Sequence, residues 1–515
     1  MTSITVYDGA TTIGGNKIYV EENGSGVFLD FGMNFAKYGK YFAEFLNERS
    51  VRGIHDLIHL SLIPKLNIYR KDLIPSDLDM SAYPKLNAEA VLLSHAHVDH
   101  CGNIALLDES IPVMASPMSM AILKAMRDVS ASGIGSEIAY FSYRDPDAED
   151  GRVLLSTKSK FYKGRDFICT GKIPDKLAEF MCYRPGQESK RARKKFNPGN
   201  LCHVHDHDLS FDIDAYEVDH SIYGATAYIL WGDSAIAYTG DIRMHGKYAD
   251  KSRKFVKKAK DASVLIIEGT RTSREDVNES EEVVFENCLK AVEESKGLVV
   301  ADFSPRNFER LETFIEIAKK TSRELVVTAK DAYMLHAMEC VDGICRMEDV
   351  KIYYELKDKS RDKWEELVVR ERWEDKYVDP TDISNNPENY ILCFSFYDMK
   401  HLLDIKPAGG SYIYSSSEAF TEEQEFDFLR LYNWLQEFGL RIYGFEMVLE
   451  GGRQVPSFIK GYHASGHASK SDLRWVIEQI DPDVIIPVHT ENPGWFVENF
   501  GNKVVVLKDC ESYVV

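Results

Sequence analysis

The apolar run Ala90-Val91-Leu92-Leu93 passes directly into Ser94-His95-Ala96-His97-Val98-Asp99-His100, and few folds accommodate that join. The run reads as a buried strand and the polar cluster as the loop at its end. Neutral ring nitrogens and carboxylate oxygens are the donors that zinc prefers. Alternate residues leaving a strand point the same way, so His95 and His97 can share one ion, with Asp99 and His100 facing a second. Cys101 and Gly102 follow, which completes the order of strand, ligands and turn that an open two-metal site needs.

Other carboxylates and histidines stand at strand ends. Residues 4–31 alternate apolar and polar with Gly-rich breaks, as antiparallel hairpins do, and end in Asp30-Phe31-Gly32. His220 lies in a turn after the strand 215–219. A hairpin, 227–231 with 236–240, returns the chain to Asp241 at the same end. That places His220 on one ion and Asp241 as a bridge between two. Val264-Leu265-Ile266-Ile267 ends on Glu268, and Asp483-Val484-Ile485-Ile486-Pro487-Val488 ends on His489.

The His-x-His-x-Asp-His string, with Asp-His-Ser-Ile-Tyr-Gly-Ala at 219–225 and Thr-Gly-Asp-Ile-Arg at 239–243, resembles the metallo-β-lactamase fold hydrolases. Three later strings resemble motifs A, B and C of its β-CASP branch, and most closely the RNase J-like ribonucleases. They are Glu268-Gly269-Thr270, His463-Ala464-Ser465-Gly466-His467 and the strand-ending His489. The resemblance implies an αβ/βα sandwich interrupted by an α/β β-CASP domain. The lactamase-fold parts would be 1–279 and 451–515, with the insertion at 280–450. Within the insertion, alternating strands and helices independently imply a parallel sheet with covering helices.

By the same resemblance, His95, His97, Asp99, His100, His220, Asp241 and His489 hold two zinc ions, with manganese as an alternative, and Asp30 orients a metal-bound histidine. Asp99 would orient and deprotonate the attacking water. His467 would stabilise the oxyanion or protonate the leaving oxygen, and Glu268 would tune His467. His463, Ser465, Gly466 and His467 would hold the phosphate beside the cut. Asn307 and Arg310, in an Asn-x-x-Arg string opening a helix, would contact a phosphate as well. The implied reaction is hydrolysis of single-stranded RNA, with 5′-to-3′ trimming and some internal cuts. His rather than Val at motif C favours RNA over DNA. The competing readings are a hydrolase of small esters, thioesters or phosphodiesters, and an inactive RNA-binding homologue. Dimers are common in the family, so a homodimer is an expectation too.

Length and charge bound these readings. A chain of 515 residues is long enough for two or three domains. Its net charge of −20 argues against non-specific nucleic-acid binding, but bound cations invert the local sign of an acidic cleft. Nine scattered cysteines without paired spacing, and a start that reads as a strand rather than a signal peptide, imply a cytoplasmic protein with reduced thiols. No stretch reads as a membrane span. Segment 33–85 is an insertion, with short helices expected at 42–46 and 54–60. His55 and His59 there, and His203, His205 and His207, are weaker metal candidates. Basic residues at 158–165 and 189–195 are candidate phosphate contacts.

Overall fold

The structure is a computed structural model that describes residues 1–43, 46–130, 133–156, 161–188, 194–274, 279–357, 362–416 and 422–515. The chain divides into two compact units. The first is Met1–Met244, Tyr248–Asp276 and His467–Val515; the second is His245–Lys247 and Val277–Gly466.

The first unit is built on two large sheets. An eight-stranded sheet runs in the order Leu201–His203, Phe167–Cys169, Val113–Ala115, Ala88–Leu92, Ser25–Leu29, Lys17–Glu22, Thr2–Asp8, Glu511–Val514. A five-stranded sheet runs Asp212–Glu217, Thr226–Trp231, Ile236–Tyr238, Val264–Glu268, Val484–Val488. The two-residue period of a strand sorts their side chains. Tyr228, Leu230, Val264 and Ile266 meet Ile4, Val20, Val27 and Leu92 of the other sheet in one core. Ala227, Ile229, Leu265 and Ile267 face the opposite way, against Phe255 and Val256 of helix Ala249–Lys258 and Leu473 and Val476 of helix Lys470–Ile480. Each such aliphatic side chain contributes about 1.5–3 kcal/mol by burial. This is the αβ/βα sandwich expected from the sequence.

The 33–85 segment contributes to that unit's packing. Tyr69 meets Phe31 at 6.5 Å between ring centroids, and Phe31 in turn meets Phe28 at 5.2 Å. The helix expected at 54–60 is present as His55–His59. At 42–46 there is no helix to describe: Ala43 and Leu46 form an isolated β-bridge, and 44–45 lie outside the described residues. All nine cysteines are free thiols.

The second unit has a seven-stranded, wholly parallel sheet in the order Tyr377–Val378, Val350–Tyr353, Glu324–Val327, Tyr390–Cys393, Leu298–Asp302, Gly410–Tyr414, Leu440–Tyr443. Its chain does not end at 450. Phe445–Glu450 turns at Gly451-Gly452 and pairs back as Arg453–Phe458, so the unit continues to Gly466. Among the described residues, no helix is long and apolar enough to cross a membrane.

One buried carboxylate in this unit gives a pH-dependent prediction. Asp302 ends the strand Leu298–Asp302 and is 6% exposed. Burial pushes its carboxyl up to about 7, although the Tyr412 hydroxyl donates a hydrogen bond to it. The folded state therefore holds this proton more tightly than the unfolded chain. The group's contribution to stability falls as pH rises from 3.8 to about 7. Asp302→Asn keeps an acceptor for Tyr412 and removes the charge. Its stability gain over wild type is expected to grow by about 2–3 kcal/mol between about pH 5 and pH 8, measured by urea unfolding at the two values.

Candidate metal centre

Strand register places the donors at one edge. Glu268 pairs with Val488 and Tyr238 with Ile266 in parallel, so Asp241, Glu268 and His489 leave the same end of the five-stranded sheet. Leu29 pairs with Leu92 in parallel, which sends Asp30 and His95 out of the same end of the other sheet.

Two donor sets result. In the first, His95 Nε2 lies 3.0 Å from His97 Nδ1, which lies 3.2 Å from His220 Nε2. Asp241 Oδ2 is 3.5 Å from His95 Nε2 and 3.8 Å from His220 Nε2. Four ligands around a tetrahedral zinc with bonds near 2.0–2.1 Å stand about 3.3 Å apart, so these spacings fit one ion. In the second set, Asp99 Oδ2 lies 3.3 Å from His489 Nε2 and 3.7 Å from His100 Nε2. Asp241 Oδ2 is 3.2 Å from His100 Nε2 as well, so one carboxylate faces both sets. His100 Nε2 and Asp241 Oδ1 are buried and make no hydrogen bond among the described residues. Polar atoms orphaned at such cost point to a missing partner, and a cation suits both. A third group joins Asp241 to Glu268 and His467, with His467 Nδ1 3.0 Å from Glu268 Oε2.

The electrostatics follow from burial and from charges placed close together. Burial, reinforced by His100, holds His95 well below the usual imidazole range, which leaves it neutral as a ligand must be. Burial alone would push His100 down, but Asp241, Asp99 and Asp30 hold it well above that range, and the same carboxylates favour a metal cation in place of that proton at Nε2. Burial likewise opposes ionisation of Asp99 and Asp241, yet the surrounding histidines keep both carboxyls low. His467, disfavoured as a cation by burial, is raised to about 9 by Glu268 and Asp241.

A second layer fixes the rings. His100 Nδ1 donates to Asp30 Oδ2 at 2.7 Å, and Ser94 N and Oγ donate to the same carboxylate at 2.6 and 2.7 Å. His489 Nδ1 is 2.9 Å from Thr270 Oγ1. Asp30 and His489 both hold left-handed backbone, with φ of 59° and 52°. Such strain costs about 1–3 kcal/mol at a non-glycine residue and persists where its surroundings enforce it. At Gly32 a Cβ would lie 1.6 Å from the Asp99 carbonyl oxygen, so no side chain fits there.

Sequence reasoning missed Tyr238. Its buried hydroxyl donates to Asp30 Oδ2 at 2.6 Å and accepts from Asn16 Nδ2 at 3.2 Å. It reads as an ordinary core strand residue, and only the fold brings it to Asp30. Outer partners of this kind are worth about 10- to 100-fold in metal affinity. Tyr238→Phe is expected to weaken metal binding about tenfold, measured by competition with a chromogenic chelator.

Other expected sites do not form. Arg310 is fully buried. Its guanidinium donates to the Ser415 carbonyl at 2.8 Å, the Tyr462 carbonyl at 3.1 Å and Glu281 at 2.8 Å. Asn307 caps helix Phe308–Lys320 by accepting from Arg310 N. The pair therefore braces and caps, and the phosphate role expected for it is corrected. Through Tyr462 the brace reaches the loop carrying His463, Ser465 and Gly466, which closes the second unit's chain just before His467. The strand at 201 stops at His203 and Val204–Asp206 forms a tight turn, so His203, His205 and His207 share no strand face. Neither they nor His55 and His59 belong to a donor group among the described residues. Of the basic stretches, 158–160 and 189–193 lie outside the described residues. Arg165 is buried, its guanidinium donating to the carbonyls of Ile104, Leu107, Asp108 and Ile111, so it is no phosphate contact.

Comparison with known proteins adds an independent line. A family model described as a Zn-dependent metallo-hydrolase RNA specificity domain matches residues 456–494. Over 505 residues the chain is 21% identical to Ribonuclease J of Pyrococcus abyssi, covering 95% of this chain and 90% of that protein. It is 22% identical over 428 residues to Ribonuclease J of Sinorhizobium meliloti, covering 82% of this chain and 61% of that protein. A crystal structure of a protein of unknown function from Enterococcus faecalis V583 aligns over the whole of both chains with a TM-score of 0.67 at 23% identity, a likeness of fold.

Proposed function

We propose that this chain is an RNase J-like protein of the metallo-β-lactamase fold and its β-CASP branch, a zinc-dependent ribonuclease trimming single-stranded RNA from the 5′ end, with internal cuts as a secondary activity. One observation carries the reading: Asp241 Oδ2 faces both donor sets, at 3.5 Å from His95 and 3.2 Å from His100. A shared carboxylate suits a pair of ions about 4 Å apart, the spacing used for in-line displacement at phosphorus. The first donor set, three histidines and a carboxylate at tetrahedral spacing, favours zinc, with manganese as the alternative.

Exposure supports the roles proposed for Asp99 and His467, with His97 the one other donor of the sets that is partly exposed among the described residues. Side chains of His95, His100, His220, Asp241, Glu268 and His489 are 0–2% exposed, whereas Asp99 and His467 are 23% and 22% exposed. Only groups reached from outside can touch a substrate. Divalent cations held by these donors would polarise the phosphoryl oxygen and acidify a water. Asp99 orients that water and accepts its proton. His467 protonates the departing ribose oxygen or steadies the charge building on phosphorus. Glu268 accepts from Ile242 N at 3.0 Å and keeps His467 turned toward the site.

The test is the product ladder from end-labelled single-stranded RNA bearing a 5′-monophosphate or a 5′-triphosphate, with zinc or manganese supplied. Mononucleotides released from the monophosphorylated strand are expected. Intact RNA beside turnover of a small ester would overturn the reading.

A further inference from the structure

The helix Ala249–Lys258 and the turn that continues it run against the charge of the chain. Between Ala249 and Asp261 stand Lys251, Arg253, Lys254, Lys257, Lys258 and Lys260 with two carboxylates, Asp250 and Asp261, in a chain of net charge −20. Packing sorts them. Ser252, Phe255, Val256 and Ala259 are buried, and Arg253, Lys254, Lys257, Lys258 and Lys260 are exposed. Lys251 is committed to Glu217, and Arg253 to Asp250 at 3.1 Å. Lys254, Lys257 and Lys258 pair with no carboxylate among the described residues. Two cations in the last turn suit the helix dipole. A run this dense on one face exceeds that need.

The helix is tied to the metal centre within the same unit. Ser252 Oγ accepts from Asp219 N at 2.8 Å, and Arg243 Nε is 3.2 Å from Asp219 Oδ2. Asp219 directly precedes His220, a donor of the first set. From Ser252 to Lys258 the helix rises about 9 Å, and stacked nucleotides rise about 3.4 Å each along the strand axis.

We propose that this face is an auxiliary contact for the phosphate backbone of single-stranded RNA, engaging the strand outside the groups that hold the bond that is cut. The inference rests on the ribonuclease reading above. It adds a surface outside the catalytic groups, and it supplies local attraction where the whole molecule repels polyanions.

The triple variant Lys254→Gln, Lys257→Gln, Lys258→Gln removes three charges and keeps good helix formers. A matched Lys→Arg triple keeps the charge. Anisotropy of metal-loaded protein with 2′-O-methyl RNA probes of about 5 and about 24 nucleotides, checked on a gel for integrity, reads binding without relying on cleavage. The Gln triple is expected to flatten the salt slope for the long probe by about 2, which is 10- to 20-fold less sensitivity between about 50 and 200 mM salt. The Arg triple should match wild type. Short-probe binding and hydrolysis of short unmodified RNA should not change. An unchanged long-probe slope, or equal losses on both probes, would overturn the proposal, the first result leaving the face to an acidic protein. Failure of the wild-type protein to cut the short RNA would instead sink the ribonuclease reading.

Discussion

Asp241→Asn will bind fewer metal ions than wild type and lose RNA hydrolysis by about 10³- to 10⁴-fold. The size follows from the carboxylate's position. Among the described residues it is the one group within 3.8 Å of donors from both sets and of His467 Nδ1. Neutralising it weakens both grips on cations, whose stabilisation of transition-state charge is worth several kcal/mol, each 1.36 kcal/mol being tenfold in rate. Asn preserves the shape, so a loss cannot be assigned to a cavity. Metal content by mass spectrometry and rate by gel assay are measured on the same preparation. Full activity with full metal content would remove the shared-carboxylate argument and the proposed function with it.

Much of this centre is legible in sequence because its ligands arrive in local strings after apolar runs. His95, His97, Asp99 and His100 come from one loop, and the structure brings them together with His220, Asp241 and His489. What local pattern cannot supply is register. That Glu268 lies beside Val488, more than two hundred residues away, follows from a parallel pairing no periodicity encodes. Tyr238 escaped for the same reason, since its role exists only where the two sheets meet Asp30. Arg310 failed in the opposite direction. An arginine at a helix start looks like an anion contact until burial shows its guanidinium committed to Ser415, Tyr462 and Glu281. The hairpin at 445–458 carries the second unit past 450, because Gly451-Gly452 is the turn between two paired strands. The basic helix was available in sequence, as cations on one face of a pattern that buries Phe255, Val256 and Ala259 on the other.

His467→Ala is expected to lower kcat on RNA by about 10²- to 10⁴-fold while metal content stays at the wild-type level. His467 is raised to about 9 because Glu268 and Asp241 outweigh its burial, so the ring can carry a proton to a departing oxygen. Whether it acts as that acid can be read from the leaving group. A ribose oxygen leaves poorly without a proton, whereas nitrophenolate leaves unaided. If His467 is the acid, the variant should lose less than about tenfold on bis(p-nitrophenyl) phosphate while losing the full amount on RNA. Equal losses on both substrates would instead assign the ring to the charge on phosphorus, which both reactions build. A fall in metal content would make it a ligand, as its 3.8 Å approach to Asp241 Oδ2 also permits. Glu268→Gln separates positioning from chemistry. It keeps an acceptor for Ile242 N but removes the charge beside Nδ1, so it should follow His467→Ala in substrate preference with a smaller loss.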